Sequence, residues 1–144
     1  GMKDNGADAT VLPLPSTAMG NVTAVAQAVK AHLLQNPEID AAFAINNIDN
    51  TGIATGAMQA GKSGKIGICG INFDETVLNN IKSGKSTCAI DQQGYHQGYM
   101  AVSILNGYIN YGLTIPTREI LTGPGIVDAS NIDATLAGAK AGVR

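Results

Sequence analysis

Residues 40–46, Asp40-Ala-Ala-Phe-Ala-Ile-Asn46, form a continuous apolar run closed by a polar residue. A run without alternation reads as a parallel strand covered on both faces, because neither face has to meet water. A stretch of small residues follows from about Asn50 to Ala60 and stops at Gly61, the residue type that most readily takes the left-handed turn after a helix. Lys65-Ile-Gly-Ile-Cys-Gly-Ile71 then repeats the apolar run. Strand, helix and strand within about 30 residues make one right-handed crossover unit of a parallel sheet.

The same reading extends in both directions. Downstream, Asp74 caps a helix carrying Val77, Leu78 and Ile81 that ends at Gly84, and Thr87-Cys-Ala-Ile-Asp91 is the next strand. A long helix from Tyr95 to Tyr111 sets Tyr99, Val102, Leu105 and Ile109 on one face. Glu119-Ile-Leu121 reads as a short strand, Gly123-Pro-Gly125 as a turn, and Asn131 to Ala141 as a final helix. Upstream, Val11 to Leu14 is a short edge strand bounded by Pro13 and Pro15. Ser16 or Thr17 caps a helix whose Val22, Val25, Ala26, Val29, Leu33 and Leu34 share a buried face, and Asn36-Pro37 ends it. The expected fold class is therefore α/β: a three-layer parallel sheet with helices on both faces. Residues 10–144 form one lobe. Gly1-Met2 reads as a tag-cleavage scar, and residues 1–9 together as a disordered leader.

The 144 residues are enough for one domain with a real core. Hydrophobic residues make up 44% and charged residues 14%, which excludes a disordered chain. A net charge of −2 argues against a nucleic-acid surface or a polybasic membrane patch. No apolar run approaches the roughly 20 residues of a membrane span. Two cysteines exclude a disulfide scaffold and an all-cysteine zinc site. Cys69 and Cys88 fall inside strands and read as buried small apolar residues, able to approach one another if their strands are neighbours.

The chain holds one literal motif and no catalytic set. Gly56-Ala-Met-Gln-Ala-Gly61-Lys62-Ser63 matches the phosphate-loop pattern, but that chemistry needs a strand before it and a helix after it. Here the order is reversed, so Gly61 caps a helix and Lys62 is solvated. His32 and His96 lie 64 residues apart, outside any metal-ligand spacing, and Gly-x-Ser-x-Gly is absent. What remains is a row of polar residues where strands end: Asn46 and Asn47, then Asn72 and Asp74, then Asp91, Gln92 and Gln93. Ligands of open parallel sheets bind outside the carboxyl ends of the strands. Amides and carboxylates suit sugar hydroxyls, which both donate and accept hydrogen bonds. Each of these residues also has a plainer role, Asp74 as a helix cap and Asn46 as a turn residue.

Five stretches carry a family resemblance. Phe43-Ala-Ile-Asn-Asn47, Gln59-Ala-Gly-Lys-Ser63 and Gly70-Ile-Asn-Phe-Asp74, taken in order, resemble the second, C-terminal lobe of periplasmic sugar-binding proteins of bacterial ABC importers. The ribose-binding type, with the type I periplasmic-binding-protein fold, is the nearest in pattern. Ala89-Ile-Asp-Gln-Gln-Gly-Tyr-His-Gln-Gly-Tyr99 is similar to the DQQPYLQGY signature of one simple-sugar branch, and Ile120-Leu-Thr-Gly-Pro-Gly-Ile-Val127 matches its closing strand. The resemblance covers residues 10–144.

It implies a non-enzymatic solute-binding component that holds a simple sugar, a pentose or hexose, in a cleft between two lobes. The closed form would dock on a membrane permease, with no cofactor and no nucleic acid. The location would be periplasmic, or extracellular and membrane-attached where the source has no outer membrane. The family's three sugar-bonding side chains match Asn46, Asp74 and Gln92, with Asn47 and Asn72 as further candidates. Asn47 stands where the family has Asp, and Gly94 stands where it has the Pro after the two glutamines. The family's first lobe, which packs on the segment matching residues 94–121, has no counterpart here. A homodimer through residues 95–121 would cover the apolar face so exposed. The alternative from another class is the effector lobe of a lactose-repressor-type transcription regulator, which shares this fold. A doubly wound enzyme is the third, and lacks a nucleophile, metal set or phosphate loop in context.

Overall fold

The computed structural model describes residues 3–115 and 117–144; Gly1-Met2, read above as a tag scar, and Pro116 lie outside them. Lys3–Asn5 form a single 3-10 turn, and Ser16–Ala18 a second. The elements then alternate: α1 (Val22–Gln35), β1 (Ala41–Ala44), α2 (Asn47–Gln59), β2 (Gly67–Gly70), α3 (Glu75–Lys82), β3 (Cys88–Asp91), α4 (Gly94–Tyr111), β4 (Gly125–Asp128) and α5 (Ile132–Lys140). The α/β class expected from sequence is the class observed.

β1 and β2 pair in parallel, from Ala41 opposite Gly67 to Ala44 opposite Gly70. β2 joins β3 through a parallel bridge between Ile71 and Ile90 and through the Thr87 N–H, which donates to the Ile68 carbonyl at 2.8 Å. β4 pairs with β3, Asp91 opposite Gly125, but in antiparallel sense. This corrects the all-parallel sheet. The chain leaves the sheet after Asp91 and returns at Gly125 on the same edge, so the returning strand has to run backwards.

The strand side chains alternate between a dry face and an open one. Ala44, Ile68, Ala89 and Val127 are buried, whereas Phe43 and Ile126 are 45% and 53% exposed. Helices cover the dry face in two core clusters. Val25, Val29 and Leu33 of α1 meet Ile53 and Ala57 of α2 over Ala44 and Ile68. Val77, Leu78 and Ile81 of α3 meet Ile132 of α5 over Ala89 and Val127. The third layer is the second difference from expectation: among the described residues the opposite face carries no packed helix. α4, which buries no residue, does not supply one. Tyr99, Val102, Leu105 and Ile109 on α4 are all more than half exposed.

Local chemistry accounts for four smaller differences. Val11 to Leu14 forms no strand, since Pro13 lacks the N–H that a ladder needs; Leu12 and Leu14 pack on the first core instead. Asn21, not Ser16 or Thr17, caps α1, its Oδ1 accepting from the Ala24 N–H at 3.1 Å. Glu119 to Leu121 is irregular, with no described strand beside it to complete a ladder. Leu34, expected on the buried face of α1, is 62% exposed because Leu33, one residue earlier on the helix, takes the core position.

Cys69 and Cys88 are half-buried and joined in a disulfide, their Cα atoms 4.7 Å apart. The reading as separate buried apolar residues is thereby corrected. The bond crosses from β2 to β3, the seam where the two core clusters meet.

Candidate functional site

The carboxyl ends of β1, β2 and β3 lie along one edge of the sheet, because the bridges joining these three strands are parallel. The residues just beyond each strand form a polar rim. β1 ends at Ala44, and Asn46 caps α2: its Oδ1 accepts from the Asp49 N–H at 2.8 Å while its Nδ2 donates to Asp49 Oδ2 at 2.7 Å. The cap residue and the third residue of the helix are thus joined twice, once through the Asp49 backbone and once side chain to side chain. Asp49 escaped the sequence reading, although the Asn-x-x-Asp spacing announces it.

Asn47 and Asp74 come together. Asn47 Nδ2 donates to Asp74 Oδ2 at 2.9 Å, while Asp74 Oδ1 accepts from the Val77 N–H at 2.9 Å as the cap of α3. One carboxylate therefore ends a helix and ties the rim across two elements. Asn72 lies between β2 and α3 with φ of 65°, a left-handed conformation that asparagine tolerates better than most side chains. Its N–H donates to the Ile90 carbonyl at 2.9 Å, which holds the β2 end of the rim against β3. Asn72 and Asp74 are exposed, and Asn46 and Asn47 half-buried.

Gln92 follows β3 and is exposed. Its carbonyl accepts from Gln97 Nε2 at 2.8 Å and from Thr122 Oγ1 at 3.2 Å. Its side-chain amide makes no hydrogen bond among the described residues. Asp91, one residue earlier, is buried at 5% exposure and faces Arg144, Oδ2 to Nε 3.1 Å. The sequence placed Asp91 in the rim row without assigning it a role, and Arg144, 53 positions away, gave no signal at all.

The dry side of the rim is tightly packed. Asn50, fully buried in α2, accepts from Ser86 Oγ at 3.2 Å. Gly70 lies against it: a Cβ there would come within 2.9 Å of Asn50 Nδ2 and 3.0 Å of the Ala44 carbonyl. The phosphate-loop match dissolves as its context implied. Gly56 is inside α2 and Gly61 takes φ of 71° after it. Lys62 is half-buried, and its Nζ donates to the carbonyls of Pro37 and Ile39. No group of three His, Cys, Asp or Glu among the described residues could hold a metal ion. Among the described residues no helix is long and apolar enough to cross a membrane.

The chain resembles known proteins in sequence and in fold. Among curated proteins none matches. A carbohydrate transporter from Acidothermus cellulolyticus, solved in complex with myo-inositol, is 34% identical with a TM-score of 0.71, covering 86% of this chain and 43% of its own. An ABC-transporter solute-binding protein from Agrobacterium vitis, bound to α-D-tagatopyranose, is 32% identical with a TM-score of 0.66, covering 81% of this chain and 39% of its own. A periplasmic ribose ABC transporter from Conexibacter woesei shares the fold at 22% identity and a TM-score of 0.69. The chain thus spans less than half the length of these structures. The family model described as periplasmic binding protein domain matches residues 2–113. With its strand-end rim and its type I fold, the chain belongs to the periplasmic binding protein family.

Proposed function

We propose that this chain is the sugar-binding lobe of a solute-binding component of an ABC importer, and that Asn46, Asp74 and Gln92, with Asn47 and Asn72 beside them, bond the hydroxyls of a pentose, hexose or cyclitol. The observation that carries the reading is the rim itself: amides and one carboxylate at the carboxyl ends of three neighbouring parallel strands, joined by the Asn47–Asp74 hydrogen bond. The ligands of the two relatives above 30% identity, myo-inositol and α-D-tagatopyranose, support a polyhydroxylated ring. The two relatives above 30% identity, a carbohydrate transporter and an ABC-transporter solute-binding protein, support a transport role. The lactose-repressor-type reading is not favoured, since the similar structures are transport proteins.

The remaining assignments follow from that reading. Residues 10–144 are one lobe, and 94–121 is the segment that meets a second body. A permease is the docking partner of the closed form, and the compartment is the periplasm or the cell exterior. The Cys69–Cys88 disulfide supports an oxidising compartment. α4 contains no Asp, Glu, Lys or Arg and buries no residue. A second copy of the chain can therefore cover it without charge repulsion, in a homodimer through residues 95–121.

Titration calorimetry against a panel of pentoses, hexoses and myo-inositol tests the sugar assignment. One wall of a cleft leaves the ligand half solvated, so saturable binding is expected near a Kd of about 1 mM. A flat response to every sugar contradicts it.

A further inference from the structure

Gln92 differs from the other rim residues in how it is held. Its side-chain amide has no hydrogen-bond partner among the described residues, yet the backbone around it is fixed from several directions. Its carbonyl takes two donors, Gln97 Nε2 at 2.8 Å and Thr122 Oγ1 at 3.2 Å. The next residue, Gln93, has φ of 56°, a left-handed conformation that a non-glycine residue keeps only when its surroundings impose it. Asp91 imposes it: Oδ1 accepts from the Gln93 N–H at 2.7 Å. The returning strand leaves space for this turn, since Gly125 has no side chain where Gln93 Nε2 lies, 3.4 Å from the position of a Cβ.

The other oxygen of Asp91 explains why a carboxylate occupies a site only 5% exposed. Oδ2 stands 3.1 Å from Arg144 Nε in an ion pair without accepting a hydrogen bond, and Arg144 Nη1 donates to Thr135 Oγ1 at 2.7 Å. Thr135 is itself fully buried in α5, its hydroxyl donating to the Asn131 carbonyl at 3.1 Å. Two hydrogen bonds and one ion pair therefore link α5, through Thr135, Arg144 and Asp91, to the N–H of Gln93. A buried carboxylate without its cation is strongly disfavoured, so Asp91 keeps its place only while Arg144 keeps its own.

We propose that Asp91 and Arg144 are positioning residues that lock the left-handed turn at Gln93 and thereby hold the Gln92 side chain ready for the ligand. The inference rests on the sugar-binding reading of the rim. The backbone is ordered before the ligand arrives, so less ordering cost remains at binding. Neither residue touches the ligand; both act through the turn.

Asp91→Asn, Arg144→Gln and Arg144→Lys in the 144-residue chain, with isotope labelling, test it. Two readouts are needed: amide exchange at Gln93, and the affinity for myo-inositol from titrated rim amides. Asp91→Asn and Arg144→Gln should speed exchange at Gln93 and weaken myo-inositol binding about fivefold, the worth of one hydrogen bond. Arg144→Lys, which keeps a cation facing Asp91, should recover part of both. Thermal unfolding identifies any variant that fails to fold, and Arg144→Lys then serves as the folded comparison. Unchanged Gln93 exchange in folded Arg144→Gln overturns the lock. Faster exchange with unchanged affinity overturns the positioning role. Absence of any myo-inositol response in the unsubstituted chain overturns the sugar-binding reading instead, and the Gln93 exchange then decides the lock by itself.

Discussion

The Asn47 side-chain amide donates to the Asp74 carboxylate at 2.9 Å across 27 positions of sequence, tying the start of α2 to the start of α3 at the rim. The same carboxylate caps α3 through the Val77 N–H. On the proposed assignment, binding and folding share one side chain, and substitutions here have to separate the two.

Asp74→Ala should lower stability by about 1 kcal/mol, the usual cost of a lost N-cap. Asp74→Asn, which keeps an acceptor for the Val77 N–H, should unfold within a few tenths of a kcal/mol of the unsubstituted chain. In sugar titrations Asp74→Ala should lose more affinity than Asn47→Ala, because a carboxylate can hold two hydroxyls through charge-assisted bonds. Equal losses for the two would remove Asp74 from the ligand set.

Reduction of the disulfide should loosen the seam between the two cores. Cys69 and Cys88 close a loop of 19 positions around α3. In the chain-entropy description a cross-link of that span stabilises by about 3 kcal/mol. Denaturant unfolding of the double Cys→Ser variant measures it. Intact mass before and after alkylation under non-reducing conditions should show no free thiol.

Gly56→Ala should destabilise by roughly 1–3 kcal/mol through overpacking. An added Cβ would come within 2.7 Å of the Ala26 carbonyl and 2.9 Å of Val29 Cβ, so α1 and α2 would have to separate. Chemical unfolding of this variant beside Ala57→Gly distinguishes close approach from helix propensity.

The face of Tyr99, Val102, Leu105 and Ile109 should drive association. Light scattering over a concentration series should approach twice 14.7 kDa, and Val102→Lys should return the chain to 14.7 kDa. A constant mass of 14.7 kDa for the unsubstituted chain contradicts the dimer.

Periodicity and capping chemistry made most of the elements legible. The apolar runs at 40–46 and 65–71 and the cap at Asp74 are local signals, and β1, β2 and α3 stand where they point. β4 could not be oriented from sequence, because its direction depends on where the excursion through α4 re-enters the sheet. The disulfide needed the adjacency of β2 and β3, which spacing alone leaves open. In the candidate site, Asn46, Asn47, Asn72, Asp74 and Gln92 were visible as polar strand ends. The Asp91–Arg144 pair was not, since an ion pair across 53 positions leaves no periodic or motif trace. The open second face was equally hidden: runs such as Asp40 to Asn46 read as covered on both sides, whereas Phe43 is 45% exposed.

The rim at the ends of β1, β2 and β3 is proposed as a sugar-binding wall. Residue-resolved amide shifts of the labelled chain, titrated with myo-inositol and with D-tagatose, test it most directly. Saturable shifts confined to residues 46–49, 72–74 and 92–93 are expected, with the titration moved to higher sugar concentration in Asp74→Asn while that variant stays folded. Shifts that do not saturate, or that fall on α4 or the open face of the sheet instead, would contradict it.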